Sequence, residues 1–495
     1  MPTILGANTL SGYDVDNSLR FNYDSSDYLN KTLGTATNRK IFTISMWVKR
    51  SELYGVNSET KYLMSAGNNA STNIDEFYFR HDTLDFSGYE SGTTFRKITN
   101  RKFRDTNAWY HLVIAFDTTQ STADDRMKIW VNGVEETSFS TRINPTSGRE
   151  SLINYTTYTA IGNNGASGNY FDGSLSHVHF CDGYAYAASD FGSTDATTGE
   201  WKINTSPSVT YGTNGFFVLK DGNSLTDQSP NTNNLTLSSG TLTKTEDCPN
   251  NLFATFNPLA AYKDNHDPNN WLKNGNTVID TDGRSEFDWL TDFGTLGAIS
   301  GKYYMELKIN QIGSASSVDY GSIGIANDFA MSDSPNGTYG RESNDWGSGV
   351  YAYSFRFDSR TAASIALIKR ENGTSTKTDS YQTQSSNLQV IRMAWDLDNG
   401  KIWFGRDGSW FNSGNPSAGT YAALTFTPNG RTFLPYVNHW IHNSGNNPIY
   451  SINFGNGYFG TSTVASAGTN ASNNGIFEYD TPTGFTALST KGLNE

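Results

Sequence analysis

Residues 391–411, IRMAWDLDNGKIWFGRDGSWF, can fold in very few ways. Ile391, Met393, Trp395 and Leu397 fall on one face at period two, while Arg392, Ala394, Asp396 and Asp398 fall on the other, the pattern of a strand with one apolar face. Asn399-Gly400 follows, and both residues tolerate positive φ, as a two-residue type I′ turn requires. That turn predicts Leu397 opposite Ile402, Trp395 opposite Phe404, and Asp398 paired with Lys401 outside. A slip of one residue would expose the whole apolar set.

The same arrangement occurs upstream. HLVIAFD (His111 to Asp117) places Leu112, Ile114 and Phe116 inward; MKIWVNGVEE (Met127 to Glu136) answers with Met127, Ile129 and Val131 and turns at Asn132-Gly133. Two such hairpins predict two β-sandwiches. Composition agrees, since 27 Tyr, 29 Phe and 11 Trp favour strands and 47 Gly supply turns, with no long run of 3.6-residue periodicity. A chain of 495 residues exceeds what one core organises, so two domains are expected.

The formal net charge of −13, with no run of Lys or Arg able to follow a phosphate backbone, argues against nucleic-acid binding. No stretch is apolar for long enough to insert in a membrane, and the first residues, MPTILGANTL, lack the basic and apolar regions of a secretion signal. The expectation is a chain made and kept soluble in the cytoplasm, or one that leaves it by lysis or by a route that does not read this terminus. Cys181 and Cys248 are read as free thiols.

FTISMWVKR (Phe42 to Arg50), AWYHLVIAFD, KIWVNG and FDGSLSHVHF, in that order, resemble successive strands of the laminin-G-like branch of the concanavalin A-like lectin/glucanase superfamily. Further on, GKYYMELKI, GSIGIAND, DLDNGKIWFGRDGSW and INFGN resemble a B30.2/SPRY domain. Both resemblances imply bent antiparallel jelly rolls. The predicted fold is therefore all-β, two concanavalin-like sandwiches in tandem. Its parts are an N-terminal docking arm (1–17), a laminin-G-like sandwich (18–205), a connector with one strand (206–250), a SPRY-like sandwich (251–465) and a closing segment (466–495). The strand in GFFVLKDG (Gly215 to Gly222) could complete either sandwich.

Chemistry is sparse. The glucanases of the superfamily carry E-x-D-x-E on a strand, and the nearest match, Glu286, Asp288 and Leu290, lacks the third acid. His177 and His179 would share a strand face and could meet a metal edge-on, but two ligands do not make a site, and the bland reading is a pair of surface histidines. Laminin-G-like domains imply structural Ca²⁺ as an option; acidic loops such as Asp124-Asp125 could serve, yet no metal residues are assigned and no cofactor is predicted. No nucleophile elbow, P-loop or zinc pair is present, so the chain is expected not to be an enzyme. Binding is read from aromatics beside turns: Tyr339, Asn344, Asp345, Trp346, Trp410, His439 and Trp440. A flat ring can cover the apolar face of a sugar while neighbouring amides and carboxylates bond its hydroxyls. The alternative for each ring is packing at a sandwich end.

The whole order resembles structural proteins of marine tailed bacteriophages. That resemblance implies a virion component of tail-fibre or adhesin type whose partners are other virion proteins and a host-surface glycan or protein. The competing expectations are a capsid decoration or fibre-shaft protein with only virion partners, and a glycan-cleaving depolymerase. A homo-oligomer is expected, with a trimer as the guess.

Overall fold

The computed structural model describes residues 15–53, 60–69, 72–164, 169–220, 225–260, 271–282, 288–311, 320–332, 348–358, 364–383, 389–441, 447–465 and 474–494. The chain divides into two compact units, Met1–Asn251 and Leu252–Glu495.

In the first unit one sheet runs β10 (Val134–Glu135), β9 (Met127–Val131), β8 (Trp109–Asp117), β3 (Ile41–Arg50), β13 (Gly173–Asp182), β1 (Ser18–Phe21), β18 (Thr243–Thr245), with β16 (Phe216–Val218) also on β13. The facing sheet runs β11 (Phe139–Ile143), β7 (Thr93–Thr99), β6 (Thr83–Glu90), β5 (Asn73–Arg80), β4 (Thr60–Asn69), β12 (Tyr158–Ile161), β2 (Tyr28–Thr32), β17 (Thr236–Ser239). Phe42, Ile44, Met46 and Val48 of β3 alternate into the core and meet Phe77, Phe79, Phe86 and Phe95 from the other sheet. β8 and β9 pair the residues expected to face inward, Leu112 opposite Val131, Ile114 opposite Ile129 and Phe116 opposite Met127. Asn132 and Gly133 both take positive φ at the turn that joins β9 to β10, between paired Val131 and Val134.

Residues 206–250, expected as a connector, supply β16, β17 and β18 to the first unit, so the Phe216–Val218 strand joins the first sandwich. Short edge strands rich in Thr and Ser carry too little alternation to be distinguished from loop. Asp247 fastens this segment down: its carboxylate accepts from Trp109 Nε1 at 3.2 Å and pairs with the buried Lys49 ammonium.

In the second unit one sheet runs β19 (Leu272–Lys273), β20 (Val278–Asp280), β32 (Ile449–Asn453), β22 (Lys302–Gln311), β27 (Val390–Asp396), β28 (Lys401–Arg406), β29 (Ser409–Trp410), with β30 (Leu424–Thr425) also on β28. The other runs β21 (Asp288–Phe293), β31 (Phe433–Ile441), β23 (Tyr320–Asn327), β24 (Tyr351–Asp358), β25 (Ser364–Glu371), β26 (Thr374–Thr383). Ile391, Met393, Trp395 and Leu397 all enter the core between them.

The β27–β28 turn differs from expectation. Trp395 opposes Ile402, Met393 opposes Phe404, and Asp396 rather than Asp398 opposes Lys401. The register has moved by two residues, which leaves every side chain on its predicted face. The cause is Asp396. Its Oδ1 accepts the N–H groups of Asp398 (3.0 Å) and Asn399 (2.9 Å), and its Oδ2 accepts Asn399 Nδ2 (2.8 Å), which closes a four-residue loop. Gly400 alone of the Asn-Gly pair takes positive φ, and a Cβ there would lie 1.9 Å from Phe426 O.

The opposite face of β27 is also buried. The C-terminal segment crosses it, with Phe477 and Phe485 packed on Tyr304, Ala394 and Trp403. Glu306 holds that segment by accepting the N–H groups of Glu478 and Tyr479, each at 2.9 Å. Arg392 bonds Tyr304 Oη at 2.9 Å and Asp480 O at 3.0 Å.

Candidate functional site

Of the residues expected to bind a ligand, Tyr339, Asn344, Asp345 and Trp346 lie outside the described residues. The other three do not form one site. Trp410 is half-buried, with the Arg392 guanidinium 4.4 Å over its ring and Tyr304 edge-on at 6.3 Å, so it packs the outer face of its sheet. His439 and Trp440 are successive residues of β31 and point to opposite faces. His439 is fully buried in the core, with Nδ1 4.0 Å from Asp292 Oδ2. Trp440 meets Trp289 edge to face at 5.5 Å. Asp292 has its carboxyl pushed up to about 7 by burial, against the Trp271 Nε1–H bond of 2.9 Å that favours the ionised form.

His177 and His179 are not surface residues. A bulge places His177 at φ +47°, and both rings lie against Phe217, which stacks on His179 at 4.0 Å between centroids. A strap comprising residues 183–215, which contains the hairpin β14 (Gly192–Thr194)–β15 (Trp201–Ile203), covers this side of the sheet with Ala188, Phe191, Trp201 and Tyr211. Tyr211 Oη bonds His179 Nδ1 at 2.9 Å, and His111 lies between the indoles of Trp47 and Trp201. Trp201 Nε1 donates to His111 Nδ1 at 3.0 Å; an indole can only donate, so the His111 proton is on Nε2, facing Ser45 Oγ at 2.9 Å. Burial pulls His111 and His177 down to about 3 and His179 well below its ordinary value. Among the described residues no group of three His, Cys, Asp or Glu could hold a metal ion. Asp124 is engaged with Arg142 and Asn144.

Among the described residues, a ligand-sized space lies at the loop end of the first unit. A cavity of about 550 Å³ is lined by the 35–40 loop with Thr119, Glu150, Asn154, Tyr155 and Thr156. Its walls are fixed by the buried Asp182 at the end of β13. Oδ2 accepts the N–H groups of Thr37 (2.7 Å) and Asn214 (3.0 Å), and Oδ1 accepts those of Asn38 (3.1 Å) and the Asn154 amide. Arg39 then reaches across, donating to Glu150 Oε2 at 2.7 Å and Ser151 O at 3.0 Å, with its guanidinium 4.1 Å over the Tyr155 ring. Tyr155 keeps 39% of its surface exposed. The result is a held aromatic ring surrounded by hydroxyl and amide groups.

A second cavity, of about 240 Å³, opens on the outer face of β5, β6 and β7 and is lined by Ile74, Glu76, Tyr78, Ser87, Tyr89 and Arg96, among others. Register assembles it: Tyr78 opposes Asp85, Glu76 opposes Ser87, and Ser87 opposes Arg96. Asp85 accepts from Tyr78 Oη at 2.9 Å and from Arg96 Nε at 3.0 Å. Glu76 is pushed up to about 7 by burial, opposed by its hydrogen bonds to Tyr62 and Asn164. Sequence reading missed both cavities. The face cavity draws on three strands, and its only sequence signal is the polar half of the alternation in NIDEFYFR and TLDFSGYE.

Residues 16–189 match a family model described as the concanavalin A-like lectin/glucanases superfamily. No curated protein matches the chain. Among solved structures, it is similar to a SAP-like pentraxin from Limulus polyphemus (17% identity, 43% of this chain and 95% of that one, TM-score 0.29). Mouse laminin alpha1 domains LG4-5 align over 91% of this chain and 84% of theirs at 8% identity and a TM-score of 0.27. The SPRY domain of human HERC1 aligns over 40% and 96% at 14% identity and a TM-score of 0.24.

Proposed function

We propose that the chain is a non-enzymatic glycan-binding protein, a tail-fibre or adhesin-type component of a phage virion that holds host-surface sugar at the loop end of its first sandwich. The observation that carries this is the braced 550 Å³ cavity, where hydroxyls, amides and one restrained ring converge, within a segment matching a lectin and glucanase superfamily model. Its volume falls within the range of ligand sites, about 300–1,000 Å³. Glycoside hydrolysis needs two carboxyl groups flanking the bond. Glu150 is the acid in the wall of this cavity, and Arg39 already engages it, which supports binding without cleavage. The virion role is supported by the order of the sequence motifs.

Tyr155→Ala should abolish binding on a printed glycan array, whereas Tyr155→Phe, which keeps the ring under Arg39, should retain it. Wild-type binding unaffected by Tyr155→Ala would remove this cavity from the site. A site with so few apolar atoms should bind near millimolar, about −4 kcal/mol. Several copies on one particle would then raise avidity by roughly 10² to 10⁴. Light scattering should accordingly find a homo-oligomer, and immunogold labelling should place the chain at the virion tail; tight cell binding by a stable monomer would refute the multivalent reading.

A further inference from the structure

We infer that the outer-face cavity of the first unit is a second binding site, separate from the one at the loop end, and that it takes a single amino-sugar residue by its free ammonium group. The two cavities share no lining residue, so neither needs the other to bind. At about 240 Å³ the outer-face cavity lies below the range of ordinary ligand sites, about 300–1,000 Å³, which fits one sugar ring and not a chain of them.

Strand alternation builds the site. Phe77 and Phe79 of β5, Phe86 of β6 and Phe95 of β7 take the inner face, which leaves Glu76, Tyr78, Ser87, Tyr89 and Arg96 outside, where they line the cavity. Register sets Ser87 between Glu76 and Arg96, and Tyr89 opposite Ile74. Tyr89 keeps 39% of its surface exposed, so its ring can cover the apolar face of a pyranose.

The charges set the ligand class. Asp85 and Arg96 satisfy each other: the guanidinium donates through Nε at 3.0 Å, and the same carboxylate accepts the Tyr78 hydroxyl at 2.9 Å. On the inner face Asp75 is held by Arg149. Glu76 lines the cavity and forms no ion pair among the described residues; its hydrogen bonds come from Tyr62 and Asn164, both neutral. Burial, with Asp85 and Asp75 close by, keeps its carboxyl protonated up to about 7. A ligand ammonium supplies the cation this acid lacks, and its N–H groups have the Glu76 carboxylate and the Ser87 hydroxyl as acceptors. An N-acetyl group has no charge to offer, and an anionic sugar would meet Glu76 as a like charge.

The test is isothermal titration calorimetry of the full chain at about pH 6 with glucosamine, N-acetylglucosamine and glucose, each in two buffers of different ionisation enthalpy. Glucosamine should bind about tenfold or more tightly than the other two. Its binding should release about one proton per complex, because the sugar ammonium keeps its proton and Glu76 gives up its own. Of the groups around Glu76, Tyr62, Tyr78 and Arg96 are all raised and stay protonated, Asp85 stays with Arg96, and Asp75 stays with Arg149. Glu76→Gln copies the protonated side chain, so it should melt as the wild type does at this pH while losing both the preference for glucosamine and the proton release. Tyr89→Ala, at an exposed ring, should weaken glucosamine binding and keep the release. Equal binding of N-acetylglucosamine or glucose, binding without proton release, a preference that survives Glu76→Gln, or no binding of glucosamine would each overturn the inference. Glycan binding at the loop end through Tyr155 stands or falls separately.

Discussion

Acidification from neutral pH to about 4.5 should loosen the first sandwich and tighten the second. In the first, His111, His177 and His179 are buried and neutral, with folded-state values far below the 6.5 of an exposed imidazole. Below that value the unfolded chain binds protons that the fold excludes, so stability falls with pH from about 6.5 down to about 3. At about 1.4 kcal/mol per unit, His111 and His177 alone account for roughly 5 kcal/mol by pH 4.5. Glu76 opposes this by roughly 3 kcal/mol, because its folded carboxyl holds a proton up to about 7. Asp85 and Glu246, raised by burial, act in the same direction as Glu76. Protonating His111 Nδ1 would also set an N–H against the Trp201 N–H, so the 183–215 strap should be released first. In the second unit Asp292 and Glu306 are both pushed up to about 7, by burial. There the fold holds the extra protons, and stability is lost as pH rises from about 4 through about 7. Hydrogen–deuterium exchange, corrected for intrinsic rates and read by peptide, should show 109–117 and 183–215 exchanging faster at acid pH while 302–311 slows. Parallel behaviour of the two units would refute the assignment.

Trp395→Ala should destabilise the second unit by about 3 to 5 kcal/mol, because it empties a fully packed position next to Tyr303 and across from Ile402. Asp398→Ala, at an exposed residue whose carboxylate accepts the Gly301 N–H at 2.9 Å, should cost no more than about 1 kcal/mol. Asp396→Ala should fall between them, about 2 to 3 kcal/mol, since it unfastens the loop and leaves Lys302 without its carboxylate at 3.4 Å. Urea denaturation of the three variants provides the measurement. Equal costs for Asp396→Ala and Asp398→Ala would mean that the turn is the two-residue form after all.

The alternation of residues 391–411 and of 111–136 determined which side chains face inward, because a period of two leaves one apolar face and water drives it under cover. It could not determine the β27–β28 register: Asn-Gly fits a two-residue turn, and the preference of Asp396 for three N–H groups of its own loop overrode it. Nor could alternation show that Arg392, Ala394, His177 and His179, on faces read as outward, would be covered by chain from far along the sequence. A strand pattern reports one face; whether the other is wet depends on where a distant segment lands.

The candidate site was less legible still. Aromatics beside turns pointed to the second unit, where Trp410 became packing, His439 core and Trp440 one of a pair. The cavity at the loop end of the first unit depends on Asp182, which gathers Thr37, Asn38, Asn154 and Asn214 from three separated stretches. Each of those residues is ordinary in its local sequence. Sequence alone determined the all-β class, the inward faces and the Asn132-Gly133 turn, since these depend on neighbours two residues away or across a tight turn. Only tertiary structure decided the register at Asp396, the covering of the outer faces and the convergence on Asp182, because each is a contact between side chains or segments whose partner no local pattern encodes.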